Sequence, residues 1–325
     1  MRLAGRSAAR PVAGNGRAAA TCGAGRRAGG RRLPLDPARR RGPLRGRRAP
    51  ARTARMTSLP QWSADFGGEL AAVRSLPITE LRDWALGGAT GGGVRVAVVD
   101  SGIDATHPRV GGVAGWATVV SDADDPEQHR VVEEPHDDLV GHGTACAGII
   151  RTLAPDVELW SVRVLGENLR TRGTRFLAGL RWALDNGMHV ANLSLSSRSD
   201  LLYGPLHAVC DDAYFMGVPL VCAANNVPGP TYPAQYSSVI SVAAREGADP
   251  WALASNPHPP VEFGATGVDV DVAWAGGGSI VATGNSFAAA HVTGMVAGML
   301  GTHPWLTPFQ VKTVLQALAE NATAG

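Results

Sequence analysis

Short apolar segments alternate with amphipathic ones through the middle of the chain, and this alternation restricts the possible folds more than any other feature. Four runs have the length and composition of buried strands: residues 94–99, 157–165, 189–195 and 218–223. Between them, residues 174–186 and 202–216 and a segment after His142 have the pattern of helices. Strands that alternate with helices form parallel sheets. We therefore predict an α/β fold with a mostly parallel central sheet and helices on both faces.

Three separated segments place an acid, a base and a hydroxyl next to glycines. Asp100 lies in VVDSG, His142 in GHGT and Ser286 in GNSFA, in that order along the chain. A serine hydroxyl is a weak nucleophile at neutral pH, and it needs an imidazole to accept its proton and a carboxylate to orient that imidazole. Each segment alone is a weak signal, whereas the three together predict a nucleophilic serine.

The residues around these three positions resemble those of the subtilisin-like serine proteases, the subtilases. The order Asp, His, Ser is the one found in subtilisin and differs from the order in two other serine hydrolase folds. The similarity extends in register over roughly residues 90–320. The resemblance implies a subtilisin-like fold and a serine endopeptidase in which Ser286 is the nucleophile, His142 the general base and Asp100 the group that orients it.

The segment CAANN at residues 222–226 resembles the Ala-Ala-Gly-Asn of the family. The resemblance makes Asn226 the side-chain donor to the oxyanion, and preplaced donors of this kind contribute about 10²–10³ to the rate. Asn225 stands where the family has glycine. If that position needs a positive φ, asparagine is the best tolerated replacement. A simple turn after a buried strand is the other interpretation of this segment.

Substrate recognition is indicated less clearly. The resemblance implies that Ser194, Leu195 and Ser196 form a strand that pairs with an extended peptide. It also implies a specificity pocket near the oxyanion donor, with walls formed by Ala223, Ala224 and Asn225. Because Ser196 and Asn225 both stand at glycine positions of the family, we predict a smaller or more polar pocket than is common there.

Three further positions depart from the family pattern without removing a catalytic group. Asn285 replaces threonine, Phe287 replaces methionine and Ala290 replaces proline, while His291 recurs in the family and is interpreted as structural. Two functions remain open. One is an active endopeptidase, whose role in the cell would be the maturation of a peptide precursor. The other is a catalytically degenerate subtilase that binds a peptide or protein without cutting it.

The first 55 residues differ sharply in composition from the rest. They contain 16 of the 30 basic residues and a single acid, Asp36, so the remainder carries 14 basic against 27 acidic residues. We predict a disordered arginine-rich tail at residues 1–57, an N-terminal arm at 58–89 and the peptidase domain at 90–325. The apolar residues of the arm are expected to cover the domain: Leu70, Val73, Leu76, Ile78, Leu81 and Trp84.

Several interpretations of the tail remain open. It could bind nucleic acid or an anionic surface, act as a targeting peptide, neutralise the acidic domain, or not be made at all if translation begins at Met56. We expect nucleic acid as a partner only if the tail is translated. The tail lacks the apolar core of a secretory signal, and the chain lacks an apolar stretch long enough for a transmembrane span.

These features predict a cytoplasmic monomer whose partner is a peptide or protein substrate, with no membrane association. Cys22, Cys146, Cys210 and Cys222 are widely spaced and are expected to be reduced thiols. Many relatives hold calcium in a loop after the histidine helix, but residues 148–155 pass directly to the next strand. That connection is too short for an oxygen cage, so we predict no calcium at that position. No other metal and no cofactor are assigned from the sequence.

Overall fold

The computed structural model describes residues 80–122, 125, 127–258 and 260–322. The helices of this part are α1 Leu81–Leu86, α2 His142–Leu153, α3 Gly173–Asp185, α4 Tyr203–Phe215, α5 Asn285–Thr302 and α6 Pro308–Leu318. The strands are β1 Arg95–Asp100, β2 Gly115–Ser121, β3 His129–Val132, β4 Glu158–Arg163, β5 Val190–Leu193, β6 Leu220–Ala223, β7 Ile240–Arg245, β8 Leu253–Ser255, β9 Phe263–Thr266, β10 Val270–Trp274 and β11 Gly278–Ala282.

Nine of these strands form one sheet in the order β3-β2-β4-β1-β5-β6-β7-β9-β8. The seven inner strands of this order, from β2 through β4, β1, β5, β6 and β7 to β9, are parallel to one another. The edge strands β3 and β8 are antiparallel to their neighbours. β10 and β11 form a separate antiparallel pair. The predicted α/β fold with a mostly parallel sheet is therefore confirmed, and the strands and helices predicted between residues 94 and 223 lie within two residues of those observed.

Side chains of β1 alternate between two hydrophobic cores, as the two-residue period of a strand requires. Val96 and Val98 are buried in a core that also contains residues of α2, α5 and α6. Ala97 and Val99 are buried in a second core with residues of α3 and α4. Helices thus cover both faces of the sheet, and this explains why β1, β5 and β6 are buried at nearly every position.

α5 is buried along nearly its whole length. The helix therefore has no polar face, in contrast to the amphipathic α3. At Gly294 it approaches α2 closely, because a Cβ atom there would lie 2.8 Å from Cβ of Leu153. A glycine at this position allows the backbone of α5 to pack directly against side chains of α2. This packing sets the position of the first residues of α5, which belong to the site described below.

Two of the residues predicted to cover the domain lie in the described part of the chain. Leu81 and Trp84 of α1 pack against the core that contains α5. The ring of Trp84 stacks on that of His303 with centroids 4.0 Å apart, and His303 Nε2 bonds the Trp84 carbonyl at 2.7 Å. Residues 58–79 of the predicted arm and the whole arginine-rich tail lie outside the described residues. None of the described helices is long and apolar enough to cross a membrane.

Candidate active site

Asp100 and His142 form a hydrogen-bonded pair between β1 and α2. Asp100 is the last residue of β1 and is fully buried, whereas His142 is the first residue of α2. Nδ1 of the imidazole lies 2.8 Å from Oδ1 and 2.9 Å from Oδ2 of the carboxylate. A carboxylate can only accept here, so Nδ1 carries a hydrogen and Nε2 of the neutral ring is left as a base.

The electrostatic surroundings favour the charged form of His142. Burial acts to lower the pKa of the imidazole, but the charge and hydrogen bond of Asp100, together with the charge of Asp138, outweigh it. The pKa of His142 consequently lies above its ordinary value. A raised pKa makes the imidazole a stronger base, which suits a group that must accept a proton from a hydroxyl.

Asp138 holds the start of α2 against the loop that follows β1. Its Oδ1 accepts a hydrogen bond from Ser101 Oγ at 2.7 Å. Its Oδ2 accepts from the backbone N–H and the hydroxyl of Thr144, at 2.8 Å and 2.7 Å. This role is not evident from the sequence, because Asp138 ends an acidic stretch, residues 122–138, of a composition that normally forms a solvated loop.

Ser286 is the second residue of α5 and faces the same cavity as His142. Its side chain is almost buried, and Oγ donates to the carbonyl oxygen of Ser194 at 3.2 Å. The cavity has a volume of about 220 Å³. Its walls contain every site residue predicted from the sequence except Asp100, which lies behind the imidazole: His142, Ser194, Leu195, Ser196, Ala223, Ala224, Asn225, Asn226 and Ser286.

Asn226 lies three residues beyond β6 and is exposed to the cavity. Its Oδ1 accepts the backbone N–H of Asn285 at 3.1 Å, which fixes the orientation of the amide. The neighbouring Asn225 is not in the left-handed region, since Leu169 and Asp269 are the non-glycine residues with positive φ in the described chain. The backbone at the family glycine position therefore accepts asparagine without strain.

The segment expected to pair with substrate differs in one respect from its prediction. β5 ends at Leu193, so residues 194–196 continue beyond the sheet and are not themselves a strand in this structure. Ser197 then pairs with Tyr232 through two backbone hydrogen bonds of 2.8 Å. The last residue pair between β5 and β6 is Leu193 with Cys222.

A second, larger cavity of about 730 Å³ adjoins the first. The two share four residues, Leu165, Leu169, Leu195 and Ser196. Most of the remaining large side chains around the second cavity are apolar, among them Phe176, Leu201 and Leu202. The cleft thus continues from the serine into an apolar groove, and the sequence did not single out Leu165 or Leu169 because the turn between them reads as an ordinary loop.

Cys146 lies next to the pair of His142 and Asp100. Its thiol is within 3.3 Å of Ser194 Oγ, and burial raises the pKa of that thiol well above its ordinary value. Asp100, His142 and Cys146 are the one group in the described chain whose three potential metal-ligand atoms lie within 4.8 Å of one another. In this structure the Asp100 carboxylate bonds Nδ1 of His142 and the thiol bonds Ser194 Oγ, so the three residues form a packed, hydrogen-bonded group.

Two residues that follow Ser286 support the site through α5. The ring of Phe287 is buried, and its centroid lies 6.0 Å from that of the His142 ring. Nδ1 of His291 bonds the Phe287 carbonyl at 2.9 Å, and burial lowers the pKa of the His291 imidazole. A neutral, internally bonded imidazole agrees with the structural role expected for His291.

Comparisons with known proteins agree with the fold. A sequence model described as the subtilase family, Peptidase_S8, matches residues 91–325. The chain is 35% identical to a thermostable alkaline protease of Halalkalibacterium halodurans over 73% of its own length and 64% of that protein. It is 33% identical to subtilisin of Bacillus pumilus, over 71% of this chain and 86% of the relative. It is also 33% identical to subtilisin E of Bacillus subtilis, over 71% of this chain and 62% of the relative.

The fold is similar to that in the crystal structure of a cold adapted subtilisin-like serine proteinase. The TM-score is 0.58 and the sequence identity 26%, with 71% of this chain and 86% of that chain covered. The chain belongs to the subtilase family, Peptidase_S8. It spans somewhat less than two thirds of the alkaline protease and of subtilisin E.

Proposed function

We propose that this chain hydrolyses peptide bonds through an acyl-enzyme formed on Ser286. The observation that carries the proposal is the pairing of His142 Nδ1 with the Asp100 carboxylate at 2.8 Å and 2.9 Å, in a cavity that His142 shares with Ser286. This pairing leaves Nε2 of a neutral imidazole as the proton acceptor on the cavity side.

In the proposed reaction, His142 takes the proton of Ser286 as Oγ attacks the carbonyl carbon of the peptide. The oxyanion that forms accepts hydrogen bonds from the Asn226 side chain and from the backbone N–H of Ser286. His142 then returns the proton to the leaving amine, and a water molecule releases the acyl group by the same route. Asp100 stays ionised and stabilises the imidazolium in both steps.

An extended peptide is the substrate that the cleft favours. The edge at Ser194, Leu195 and Ser196 would add backbone hydrogen bonds that do not discriminate between side chains. The polar Asn225 borders the pocket next to Ser286, and the larger apolar groove begins at Leu165 and Leu169. We therefore expect cleavage of peptides with a small or polar residue before the scissile bond and an apolar residue further upstream. Maturation of a peptide precursor is one role that such selectivity would allow.

A catalytically degenerate subtilase is the second candidate, and the altered residues Asn225, Asn285, Phe287 and Ala290 favour it. In that case the same cleft would bind a peptide without cutting it. The paired Asp100 and His142 favour the active enzyme, because a binding cleft has no use for a buried carboxylate that fixes the tautomer of an imidazole.

The two candidates differ in their reaction with a fluorophosphonate, which modifies activated serines. We expect stoichiometric labelling of Ser286, seen as a mass shift of the intact protein and absent in Ser286→Ala. The variant Asp100→Asn should react several thousand-fold more slowly, since loss of the orienting carboxylate typically lowers the rate by about 10⁴. A folded wild-type protein that is not labelled would contradict the endopeptidase and support the binding module.

A further inference from the structure

Asn285, the residue immediately before Ser286, connects three segments of the site. Its backbone N–H donates to Oδ1 of Asn226 at 3.1 Å. Its side-chain Oδ1 accepts the backbone N–H of Ala244, in β7, at 2.8 Å. Both partners are distant in sequence, so these bonds tie the start of α5 to the loop after β6 and to the neighbouring strand.

The amide nitrogen of Asn285 completes the connection. Nδ2 donates to the carbonyl oxygens of Ala224 and Asn225, at 3.0 Å and 3.2 Å. The Ala224 N–H in turn donates to the Val242 carbonyl of β7 at 2.9 Å. A half-buried side chain thus makes three hydrogen bonds, all to backbone groups of the segment that presents Asn226 or of the strand beside it.

Threonine, the usual residue of the family at this position, could not make the same contacts. Its hydroxyl has one hydrogen to donate and is one bond closer to the backbone, whereas a planar amide carries an acceptor oxygen on one side of the Cβ–Cγ bond and two N–H donors on the other. Asparagine can therefore link β7 and the loop after β6 at the same time. The Asn225 carbonyl that it holds belongs to the residue at the family glycine position.

We propose that Asn285 is a positioning residue for the oxyanion donor. Its side chain fixes the loop after β6 relative to Ser286. Its backbone N–H bonds Oδ1 of Asn226 and so orients the Asn226 amide, with Nδ2 of Asn226 directed to the oxyanion. This inference rests on the proposed function for its effect on rate. The inference that Asn285 holds the loop after β6 in place does not depend on that function.

The test compares kcat and KM of Asn285→Ala, Asn226→Ala and the double variant on a tetrapeptide p-nitroanilide. We expect Asn226→Ala to lower kcat by about 10²–10³. Asn285→Ala leaves the donor in place but loosens it, so kcat should fall about tenfold, the equivalent of one hydrogen bond, with little change in KM. In the Asn226→Ala background, the second substitution should have little further effect.

Two more variants separate positioning from general stability. Asn285→Asp keeps the acceptor for the Ala244 N–H but sets an anion against two carbonyl oxygens, so kcat should fall at least as far as in Asn285→Ala. Asn256→Ala is the matched control, because Asn256 also makes three side-chain bonds to backbone groups, with His258 and Val261, on a loop outside the cavity. It should leave kcat unchanged.

Hydrogen–deuterium exchange supplies a readout that does not depend on activity. The backbone amides of residues 224–226 and 244 should exchange faster in Asn285→Ala than in the wild type and stay unchanged in Asn256→Ala. Equal exchange in Asn285→Ala and wild type would overturn the proposal, as would a loss of kcat that is undiminished in the Asn226→Ala background. A wild-type protein that is folded but turns over no peptide would refute the proposed function, and the exchange measurement would still decide the role of Asn285.

Discussion

His142 can act as a base only when it is neutral, so its raised pKa has a direct kinetic consequence. The value of kcat/KM should rise with pH through the pKa of His142, with a midpoint above the ordinary histidine value of 6.5. The sign follows because the neighbouring carboxylates stabilise the imidazolium, which has to lose its proton before Ser286 can be activated. Below the midpoint, the rate should fall about tenfold for each pH unit.

Asp138 offers a way to check the cause of that shift. The charge of Asp138 contributes to the raised pKa of His142, so Asp138→Asn should move the acid limb of the pH profile to lower pH. Asp137→Asn is the matched control, because the adjacent Asp137 is not among the groups that raise the His142 pKa. An acid limb that shifts equally in both variants would show that Asp138 acts through general surface charge instead.

Packing between α2 and α5 determines where Ser286 stands relative to His142. A Cβ atom on Gly294 would lie 2.8 Å from Leu153 Cβ and 3.3 Å from the carbonyl oxygen of Ile150. Alanine favours a helix over glycine by about 1 kcal/mol, but overpacking a buried contact costs typically about 1–3 kcal/mol. We therefore expect Gly294→Ala to lower the free energy of unfolding, measured by denaturant titration.

Gly204 of α4 provides the comparison at the same scale. A Cβ atom there would meet no atom within 4 Å, so Gly204→Ala keeps the gain in helix propensity without a clash. Its free energy of unfolding should equal or exceed that of the wild type. If Gly294→Ala were equally well tolerated, the close approach of the two helices would have to be relieved by a shift of α5, visible as a changed rate of Ser286 labelling.

Charge is distributed unevenly over the whole molecule. Residues 56–325 contain 14 basic and 27 acidic residues, whereas the first 55 residues contain 16 arginines. At low ionic strength we expect kcat/KM to be higher for basic than for acidic peptides of equal length. The difference should shrink as salt rises, because the Debye length falls from about 10 Å at 0.1 M to about 3 Å at 1 M.

The first 55 residues should reduce this preference, since their charge opposes that of the rest. A comparison of the full chain with a chain that starts at Met56 tests the point, with the salt dependence of kcat/KM as the measurement. A preference that persists unchanged at 1 M salt would show that contacts in the cleft, and not the overall field, select the peptide.

Location in the cytoplasm and the monomeric state remain predictions from the sequence.

The sequence alone determined the α/β architecture and predicted which residues would form the candidate site. Both follow from local information. The periodicity of strands and helices can be recognised within short stretches of sequence, and each of the glycine-flanked segments around Asp100, His142 and Ser286 is a short continuous stretch. Side-chain roles that depend on distant partners were not accessible in this way. Asp138 reads as one more acid in a solvated loop, and Asn285 reads as a variant of threonine.

Only the tertiary structure decided what those two residues do. Asn285 contacts Ala244, which is 41 residues away, and Ala224, which is 61 residues away, while Asp138 contacts Ser101 at a separation of 37. Such contacts depend on how the strands are ordered in the sheet and how closely α5 packs on α2. Neither is encoded in a local pattern, because each is set by the packing of the whole core.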